Sequence, residues 1–388
     1  MWYFQSPKIV FGEDALSHLE SIQGKRAFIV TDARIVQIGL ARVVEERLAR
    51  AGVETQVYSQ VEPEPSTSTV RHCAEAISQF APDWVIGLGG GSCLDAAKAA
   101  YFLYERPDVE LEALNPLETY GLRAKARLMT IPTTAGSGAE VSQAAVLKDP
   151  DSGRKMELAS YELVADLTVV DPCLSANMPP QLTTDSGIDV LVHAIDVYNC
   201  AFANDFSDAV CLQAARLAFQ YLPRAVENGA KDLEAREKMA NAATLAGQGI
   251  CNANIALAHA LGHSAGSVFP LPHGRVTGIF LPLVIEYNAN GGVGRYQDLA
   301  CVLGLPADDE EQAAAALARA VRELMARLEL PLSLQAAGVS AQEFEAGQEK
   351  LCDHAELDLG LVVSRRVPYR EDLERLFQYA YTGKPVDF

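Results

Sequence analysis

The sequence predicts two domains of different class, an α/β domain over residues 1–181 and an all-helical domain over residues 182–388. Three observations support this division. With 388 residues, the chain is longer than one ordinary hydrophobic core accommodates. Short apolar runs alternate with amphipathic helical segments up to about residue 181, whereas strand patterns almost vanish beyond it. The sequence Asn177-Met178-Pro179-Pro180 marks the change.

The individual elements follow from hydrophobic periodicity. Strands that alternate with helices indicate a parallel sheet, and the predicted strands are 26–31, 53–58, 83–88, 128–132 and 163–170. Helices between them are predicted over 35–52, 66–80 and from Cys93 to Tyr101. In the second domain, apolar residues recur with a period of 3.6 over 206–222, 232–249, 310–329 and 370–380.

Composition excludes several classes of function. Acidic residues outnumber basic ones by 51 to 32, and the net charge of −19 disfavours binding to nucleic acid or to anionic membranes. No apolar run reaches the eighteen or so residues of a membrane span, and the N-terminus does not resemble a secretory leader. Eight cysteines without a C-x-x-C pair are typical of reduced thiols. We therefore expect a cytoplasmic protein.

Two pairs of side chains in the helical domain have the spacing of one helical turn. They are Asp189 with His193 and His259 with His263, and His273 follows nearby. Residues four apart lie on one helix face, so each pair can direct two donor atoms at one point. Both segments are apolar on nearly all sides, and buried charges need partners, which a divalent cation would provide. The alternative is hydrogen-bonded core histidines, but the clustering of four among seven histidines favours a metal site.

A glycine-rich turn in the α/β domain indicates a Rossmann-like, dinucleotide-binding sheet. Gly89, Gly90, Gly91 and Ser92 lie between a predicted strand and a predicted helix. Glycines let the backbone approach a phosphate, and the helix N-terminus offers N–H groups and a positive dipole end. The pattern is not G-x-G-x-x-G, and a simple tight turn remains the alternative.

Asp32 follows the first of the predicted strands. Beside an adenosine ribose, its carboxylate would repel a 2′-phosphate and favour NAD over NADP. Alternatively, Asp32 is the N-cap of the next helix.

Further polar residues could contact a cofactor. Thr133, Thr134 and Ser137 belong to a second stretch of small residues whose hydroxyl groups suit phosphate or ribose, although loops often have this composition. Asp95 and Lys98 lie one helical turn apart and are either cofactor ligands or a surface ion pair.

Taken together, these motifs resemble those of the iron-containing (group III) alcohol dehydrogenases. The similarity extends from Ser6-Pro7-Lys8 to Tyr379-Ala380-Tyr381. It rests on four motifs in the family's order, namely Gly89-Gly90-Gly91-Ser92-x-x-Asp95-x-Ala97-Lys98, Pro132-Thr133-Thr134-Ala135-Gly136-Ser137-Gly138-x-Glu140-Val141, Asp189-x-x-x-His193 and His259-x-x-x-His263-x9-His273-Gly274. The chain departs from the family at Val363-Ser364-Arg365-Arg366-Val367-Pro368, where an Asn-Pro-Arg segment is usual.

The resemblance implies a dehydroquinate synthase-like architecture and a set of site residues. It assigns the metal ligands to Asp189, His193, His259 and His273, with His263 as an active-site histidine beside the metal. Lys155 is similar to a family lysine near the cofactor ribose, and Asp32 occupies the position associated with NAD preference. The donor set suits iron(II), although zinc tolerates the same donors.

The function that the resemblance implies is reversible hydride transfer between a small alcohol, or its aldehyde or ketone, and NAD. Family members are often homodimers or larger homo-oligomers. Asp185 and Asp196, one turn on either side of the first pair, could orient ligands, or they could be a helix cap and a solvated side chain. The alternative function is an NAD- and metal-using sugar-phosphate cyclase, which needs a basic pocket, whereas the metal-site loops offer Arg275 and little else. A scaffold without activity would be expected to lack the ligands.

Overall fold

The computed structural model describes residues 3–149 and 155–388. The chain divides into two compact units, Met1–Asn177 and Met178–Phe388. Within the described ranges, no helix combines the length and the apolar character that crossing a membrane requires.

A parallel sheet forms the centre of the first unit. The strands in chain order are β1 (Lys8–Phe11), β2 (Arg26–Val30), β3 (Glu54–Tyr58), β4 (Trp84–Gly89), β5 (Arg127–Pro132), β6 (Ala144–Lys148), β7 (Lys155–Ala159) and β8 (Leu167–Val170). Six of them form the sheet in the order β1-β8-β5-β4-β2-β3, whereas β6 and β7 pair separately and antiparallel. The predicted Rossmann-like parallel sheet is confirmed.

Helices cover both faces of this sheet. They are α1 (Ala33–Gln37), α2 (Leu40–Arg50), α3 (Thr67–Phe80), α4 (Gly91–Glu105) and α5 (Pro172–Ser175). Side chains of β2 alternate between two hydrophobic clusters, because successive strand residues point to opposite faces. Phe28 and Val30 belong to one cluster, and Ala27 and Ile29 to the other.

Two predicted elements of the first unit need correction. The predicted helix over 35–52 is interrupted, because Gly39 adopts a left-handed conformation with φ of 85° between α1 and α2. The predicted strand over 163–170 begins only at Leu167, and Tyr161–Leu163 instead forms a 3₁₀ turn.

The second unit is helical, as predicted. Its helices are α6 (Pro180–Tyr198), α7 (Asp205–Asn228), α8 (Leu233–Asn252), α9 (Leu257–Val268), α10 (His273–Asn290), α11 (Gln297–Val302), α12 (Glu310–Arg327), α13 (Ala341–Glu356), α14 (Leu359–Val362) and α15 (Arg370–Thr382). Every residue of α6 from Gly187 to Tyr198 is buried, which agrees with its apolar sequence.

Glycines allow α6, α9 and α10 to approach one another closely. A Cβ atom on Gly274 would lie 2.0 Å from the carbonyl oxygen of Asp185, and one on Gly262 would lie 2.6 Å from Cγ2 of Thr277. Neither contact is sterically allowed, so these positions require glycine for the observed packing. The three helices carry all the residues of the predicted metal site.

Candidate metal centre and cofactor-binding turn

Four side chains of the second unit converge on one point. One donor atom from each of Asp189, His193, His259 and His273 lies within 4.8 Å of every other. Nε2 of His273 is 3.5 Å from Oδ1 of Asp189, and Nε2 of His259 is 3.9 Å from the same oxygen. Nδ1 of His193 is 3.9 Å from Oδ2 of Asp189. These separations are too long for hydrogen bonds.

The unsatisfied nitrogen atoms fit a bound cation. Nδ1 of His193 and Nε2 of His259 are buried and have no hydrogen-bond partner among the residues that the structure describes. Such atoms are rare, because a buried polar atom without a partner costs about 1–3 kcal/mol. Two donor atoms that each lie about 2.1 Å from one ion are separated by roughly 3.0–3.4 Å at octahedral or tetrahedral angles. Small side-chain movements would therefore bring the donors into coordination distance.

The electrostatics of the cluster favour the charge states that ligands require. Burial raises the pKa of Asp189, but the combined effect of the three imidazoles is larger and lowers this pKa to about 2. Burial, together with the neighbouring His193, lowers the pKa of His259 well below its usual value. An ionised carboxylate and a neutral imidazole are the forms that bind metal ions.

A second carboxylate fixes the orientation of His259. Oδ2 of Asp196 accepts a hydrogen bond from Nδ1 of His259 at 2.8 Å, and the Asp196 carboxylate also accepts backbone N–H groups of residues 256, 258 and 259. The side chain of Asp196 is buried, so the predicted alternative of simple solvation is wrong. Because its Nδ1 is engaged, His259 presents Nε2 to the cluster, a common arrangement for metal-binding histidines.

Asp185 has a different partner. It lies inside α6 rather than at its start, and its carboxylate binds the guanidinium of Arg275 through two hydrogen bonds of 3.0 Å. The predicted helix cap at Asp185 is therefore wrong. This pairing compensates the positive charge of Arg275, which is the basic residue that a phosphorylated substrate would need as a partner.

His263 lies beside the cluster. Its Nδ1 is 2.8 Å from Oδ2 of Asp358, and its ring stacks on that of His273 with centroids 5.3 Å apart. Burial raises the pKa of Asp358, but the hydrogen bond with His263, the charge of His263 and the backbone N–H of Gly360 together outweigh burial, so the net shift of this pKa is downward. The side chains of His263 and His273 are 27% and 38% exposed, whereas His259 is fully buried. The cluster is thus open on one side, as catalytic metal sites are.

The glycine-rich turn lies at the carboxyl edge of the parallel sheet. β4 ends at Gly89, and α4 begins at Gly91, where no described side chain caps the helix, so its first N–H groups are available to a ligand. A Cβ atom on Gly89 would lie 2.6 Å from Sγ of Cys93, and one on Gly91 would lie 3.1 Å from Oγ of Ser137. The turn is therefore close-packed, and a larger residue in place of Gly89 or Gly91 would shift the backbone of the turn.

The second small-residue stretch is adjacent to this turn. The backbone N–H of Thr133 donates to the carbonyl of Gly89 at 2.9 Å, and a Cβ atom on Gly90 would contact Cγ2 of Thr134 at 3.4 Å. Because β4 and β5 pair in parallel, their carboxyl ends bring Gly89 and Thr133 to the same edge of the sheet. Ligands of open α/β sheets bind at this edge.

Asp32 is the N-cap of α1 and lies beside the turn. Its Oδ1 accepts the N–H of Ile35 at 2.8 Å, and its Oδ2 is 3.4 Å from Sγ of Cys93. The capping alternative is therefore observed. It leaves the carboxylate at the same sheet edge as the glycine turn, because β2 pairs with β4.

Lys98 and Asp95 do not form a surface ion pair. Lys98 is completely buried, and its Nζ donates to the carbonyl oxygens of Ser142 and Ala144 at 2.7 and 2.9 Å. Oδ2 of Asp95 accepts the N–H of Val146 at 3.1 Å. Burial raises the pKa of Asp95 to about 6. The surface alternative is wrong, because these side chains connect α4 to the chain around β6.

Lys155 lies on β7 at the margin of the described chain. Its Nζ is 2.8 Å from Oε1 of Glu64, whose backbone N–H is 3.4 Å from Oγ of Ser92. Glu64 thus connects Lys155 to the glycine turn.

Comparison with known proteins identifies the family. Residues 6–172 match the family described as iron-containing alcohol dehydrogenase, and residues 183–381 match its C-terminal domain. The chain belongs to the iron-containing alcohol dehydrogenases. It is 34% identical to the NADPH-dependent butanol dehydrogenase of Clostridium saccharobutylicum over the full length of both proteins. It spans about half (46%) of the aldehyde-alcohol dehydrogenase of Streptococcus pneumoniae, to which it is also 34% identical.

Solved structures of the family share this fold. The iron-containing alcohol dehydrogenase of Thermococcus thioreducens superposes with a TM-score of 0.90 and 31% identity, and the match covers 99% of this chain and 100% of that one. The sulfoacetaldehyde reductase of Bifidobacterium kashiwanohense, solved in complex with NAD+, superposes with a TM-score of 0.87 and 25% identity over 98% of each chain. The enzyme is an oxidoreductase of alcohols and aldehydes, and membership of the family implies a divalent metal and a nicotinamide cofactor.

Sequence reasoning missed Thr277, Asp358 and Glu64, whose contacts fix predicted site residues. The first, Thr277, donates to Oδ1 of Asp189 at 3.0 Å, and it could have been found, because it lies one helical turn after His273. Asp358 and Glu64 could not have been found in this way. Each is distant in sequence from its partner, and neither belongs to a recognisable motif.

Proposed function

We propose that the enzyme reversibly oxidises a small alcohol to its aldehyde or ketone with NAD and with iron(II) held by Asp189, His193, His259 and His273. The observation that carries this proposal is the convergence of four donor atoms within 4.8 Å, in a cluster where Nδ1 of His193 and Nε2 of His259 are buried and lack a hydrogen-bond partner within the described part of the chain. When bound, the cation stabilises negative charge on the substrate oxygen and the nicotinamide carries the hydride. Zinc accepts the same donors and is the alternative metal.

The residues of the helical unit have distinct proposed roles. Asp189 supplies the negative charge of the ligand set, and Asp196 and Thr277 fix the orientation of His259 and Asp189. His263 lies on the more exposed side of the cluster, where a substrate hydroxyl can reach it, and it transfers the hydroxyl proton to solvent.

The cofactor-binding residues are proposed from the sheet edge. Backbone N–H groups at Gly89, Gly90, Gly91 and Ser92 bind the pyrophosphate, supported by the uncapped start of α4. Further contacts to phosphate or ribose come from Asp95, Thr133, Thr134, Ser137 and Lys155.

Asp32 excludes the 2′-phosphate of NADP, so NAD is the proposed cofactor. Its carboxylate lies beside the turn and carries a negative charge toward that edge of the sheet. The Clostridium saccharobutylicum relative is named as NADPH-dependent, whereas the Bifidobacterium kashiwanohense structure contains NAD+, so the ratio of the kcat/KM values for NAD and NADP tests this assignment directly.

We also propose a domain division, a cellular location and an oligomeric state. Residues 1–181 serve as the NAD-binding domain and residues 182–388 as the metal-binding domain. The enzyme works in the cytoplasm as a homodimer or larger homo-oligomer. Size-exclusion chromatography with light scattering tests the assembly, and a monomeric mass would contradict it.

A chelation and substrate screen tests the proposed function. Freshly purified enzyme is analysed for metals and assayed with C2–C4 alcohols and aldehydes, with NAD and with NADP. We expect stoichiometric NADH formation that a chelator abolishes and that iron(II) restores. Chelator-insensitive turnover would contradict the metal assignment. A cyclase would form no net NADH, and this alternative is disfavoured because Arg275 is already paired with Asp185.

A further inference from the structure

The carboxylate of Asp358 makes two contacts, one with the start of α14 and one with His263. Its Oδ1 accepts the backbone N–H of Gly360 at 2.8 Å and thereby caps the first turn of α14. Its Oδ2 lies 2.8 Å from Nδ1 of His263, on α9. A Cβ atom on Gly360 would lie 2.7 Å from the carbonyl oxygen of Ala256, so α14 packs directly against the segment that enters α9. The carboxylate is therefore held in place from two sides.

This geometry determines the tautomer of His263. An ionised carboxylate can only accept hydrogen bonds, so Nδ1 of His263 carries the hydrogen. In a neutral imidazole, the other nitrogen, Nε2, then has a lone pair and accepts protons. Without Asp358, the two tautomers and other ring orientations would become accessible.

The neighbouring pair His259–Asp196 has the same arrangement but a different environment. In both pairs, the distance from Nδ1 to a carboxylate oxygen is 2.8 Å. His259 is fully buried, whereas the side chain of His263 is 27% exposed. A fixed Nε2 in the buried position suits a metal ligand. A fixed Nε2 in the partly exposed position suits proton exchange with a substrate and with water.

We propose that Asp358 is a positioning residue that holds His263 as the Nδ1–H tautomer, so that Nε2 accepts the hydroxyl proton of the alcohol. In this step the O–H bond breaks, an N–H bond forms at Nε2, and water then takes up the proton. Asp358 stabilises the imidazolium that forms in between, as carboxylates paired with catalytic histidines do. The inference rests on the proposed function, because it needs His263 to act on the substrate.

Substitutions of Asp358 separate the capping role from the positioning role. Ser is a good N-cap and keeps an acceptor for Gly360, but it is too short to reach His263. We expect Asp358→Ser to lower kcat by about 10–100-fold, the usual cost of losing such a partner, with KM and metal content little changed. Asp358→Asn is the second variant, and it should also lower kcat because the amide has only one acceptor oxygen for two donors. Asp309→Asn is the matched control, because Asp309 caps α12 through Gln312 and has no role in the proposed mechanism.

A double-mutant cycle tests whether Asp358 acts through His263. If it does, Asp358→Ser should cause little further loss in an enzyme that already carries His263→Ala. Losses that multiply in the double variant would overturn the proposal, as would an Asp358→Ser enzyme with the kcat of the parent. An unimpaired His263→Ala enzyme would instead refute the proposed role of His263 and leave the family activity intact.

The tautomer itself gives a readout that does not depend on activity. Nitrogen NMR of histidine-labelled, zinc-loaded enzyme distinguishes Nδ1–H from Nε2–H, and the His263→Ala variant assigns the signal. We expect the Nδ1–H form in the parent and in Asp309→Asn, and a loss of that preference in Asp358→Ser and Asp358→Asn. An Nε2–H tautomer in the parent would overturn the proposal whatever the activities.

Discussion

The histidine cluster of the helical unit and the glycine turn of the α/β unit are built in different ways. In the cluster, side-chain atoms form the proposed site, and two of these side chains are fixed by a further side chain, His259 by Asp196 and Asp189 by Thr277. In the turn, the backbone forms the proposed site, and the absence of Cβ atoms at Gly89 and Gly91 permits its shape. A site formed by side chains depends on the identity of a few residues. A site formed by the backbone depends instead on the absence of side-chain atoms that would fill it.

This difference predicts different responses to mutation. Loss of one ligand from the cluster removes a large part of the binding energy of one ion. Loss of one contact at the turn leaves several backbone donors in place, so its effect should be graded. The substitutions below test this contrast, from the largest expected effect to the smallest.

Removal of a ligand should be the most damaging change. We expect His259→Ala to lose bound metal and to lower turnover by more than about 100-fold, because even losing a ligand's hydrogen-bond partner costs about 10–100-fold. NAD binding by the α/β unit should persist. Elemental analysis, coupled assays and cofactor titration measure the three quantities.

The control is His72→Ala, because His72 is exposed on α3 and lies outside the cluster. Retention of metal and near-normal turnover in His259→Ala would refute the ligand assignment.

Removal of the carboxylate that orients His259 should have a smaller effect on the metal. We expect Asp196→Asn to weaken metal affinity by about 10–100-fold, since the amide keeps the shape but loses an acceptor oxygen and the charge. Competition with a chelator of known affinity measures the change. An unchanged affinity would mean that the hydrogen bond to His259 does not tune the site.

Close helix packing around the cluster gives a steric prediction. In Gly274→Ala, the new Cβ would lie 2.0 Å from the carbonyl oxygen of Asp185 and 2.9 Å from Cβ of Asp189. We expect a destabilisation of about 1–3 kcal/mol, typical of overpacking, together with weaker metal binding as Asp189 moves. Urea denaturation of the metal-free enzyme measures the first effect.

Gly266→Ala serves as the matched control, because a Cβ there meets nothing within 4 Å. This helical substitution should be neutral or stabilising by up to about 1 kcal/mol. Equal destabilisation by both substitutions would contradict the packing account.

Substitution of Asp32, beside the glycine turn, should have the smallest effect. Asp32→Gly keeps most of the capping energy, because glycine costs only a few tenths of a kcal/mol at an N-cap. Loss of the carboxylate should narrow the preference for NAD over NADP by about tenfold, since one charge–charge contact of this kind is worth about 1–4 kcal/mol. The ratio of the two kcat/KM values measures it. An unchanged ratio would mean that Asp32 acts only as a cap.

The sequence predicted the parallel sheet, the helical unit and the two helix-spaced pairs because each depends on local spacing, whereas the choice of His259 and His273 over His263 as ligands came from the resemblance to the family. Asp189 and His193 lie one turn apart on a helix whose apolar sequence forces burial, and unpaired polar groups there require a partner. The two alternatives at Asp32 could not be separated in this way, since a cap and a ribose contact use the same carboxylate.

Long-range pairing limited the sequence analysis elsewhere. Residue spacing does not distinguish an orienting role of Asp196 from simple solvation, because the contact between Asp196 and His259 spans 63 residues. The partner of His263 was missed because Asp358 is 95 residues away. The surface alternative for Lys98 failed because carbonyl oxygens around β6 bind its ammonium group in the interior. Such contacts depend on tertiary packing, which residue spacing does not report.

Anomalous diffraction from crystals of the iron-loaded enzyme tests the central claim most directly. We predict one anomalous peak at the iron edge, about 2.0–2.3 Å from a carboxylate oxygen of Asp189 and from a nitrogen of each of His193, His259 and His273. A peak at another position, or an iron-free cluster in an enzyme that turns over at its full rate, would contradict the account.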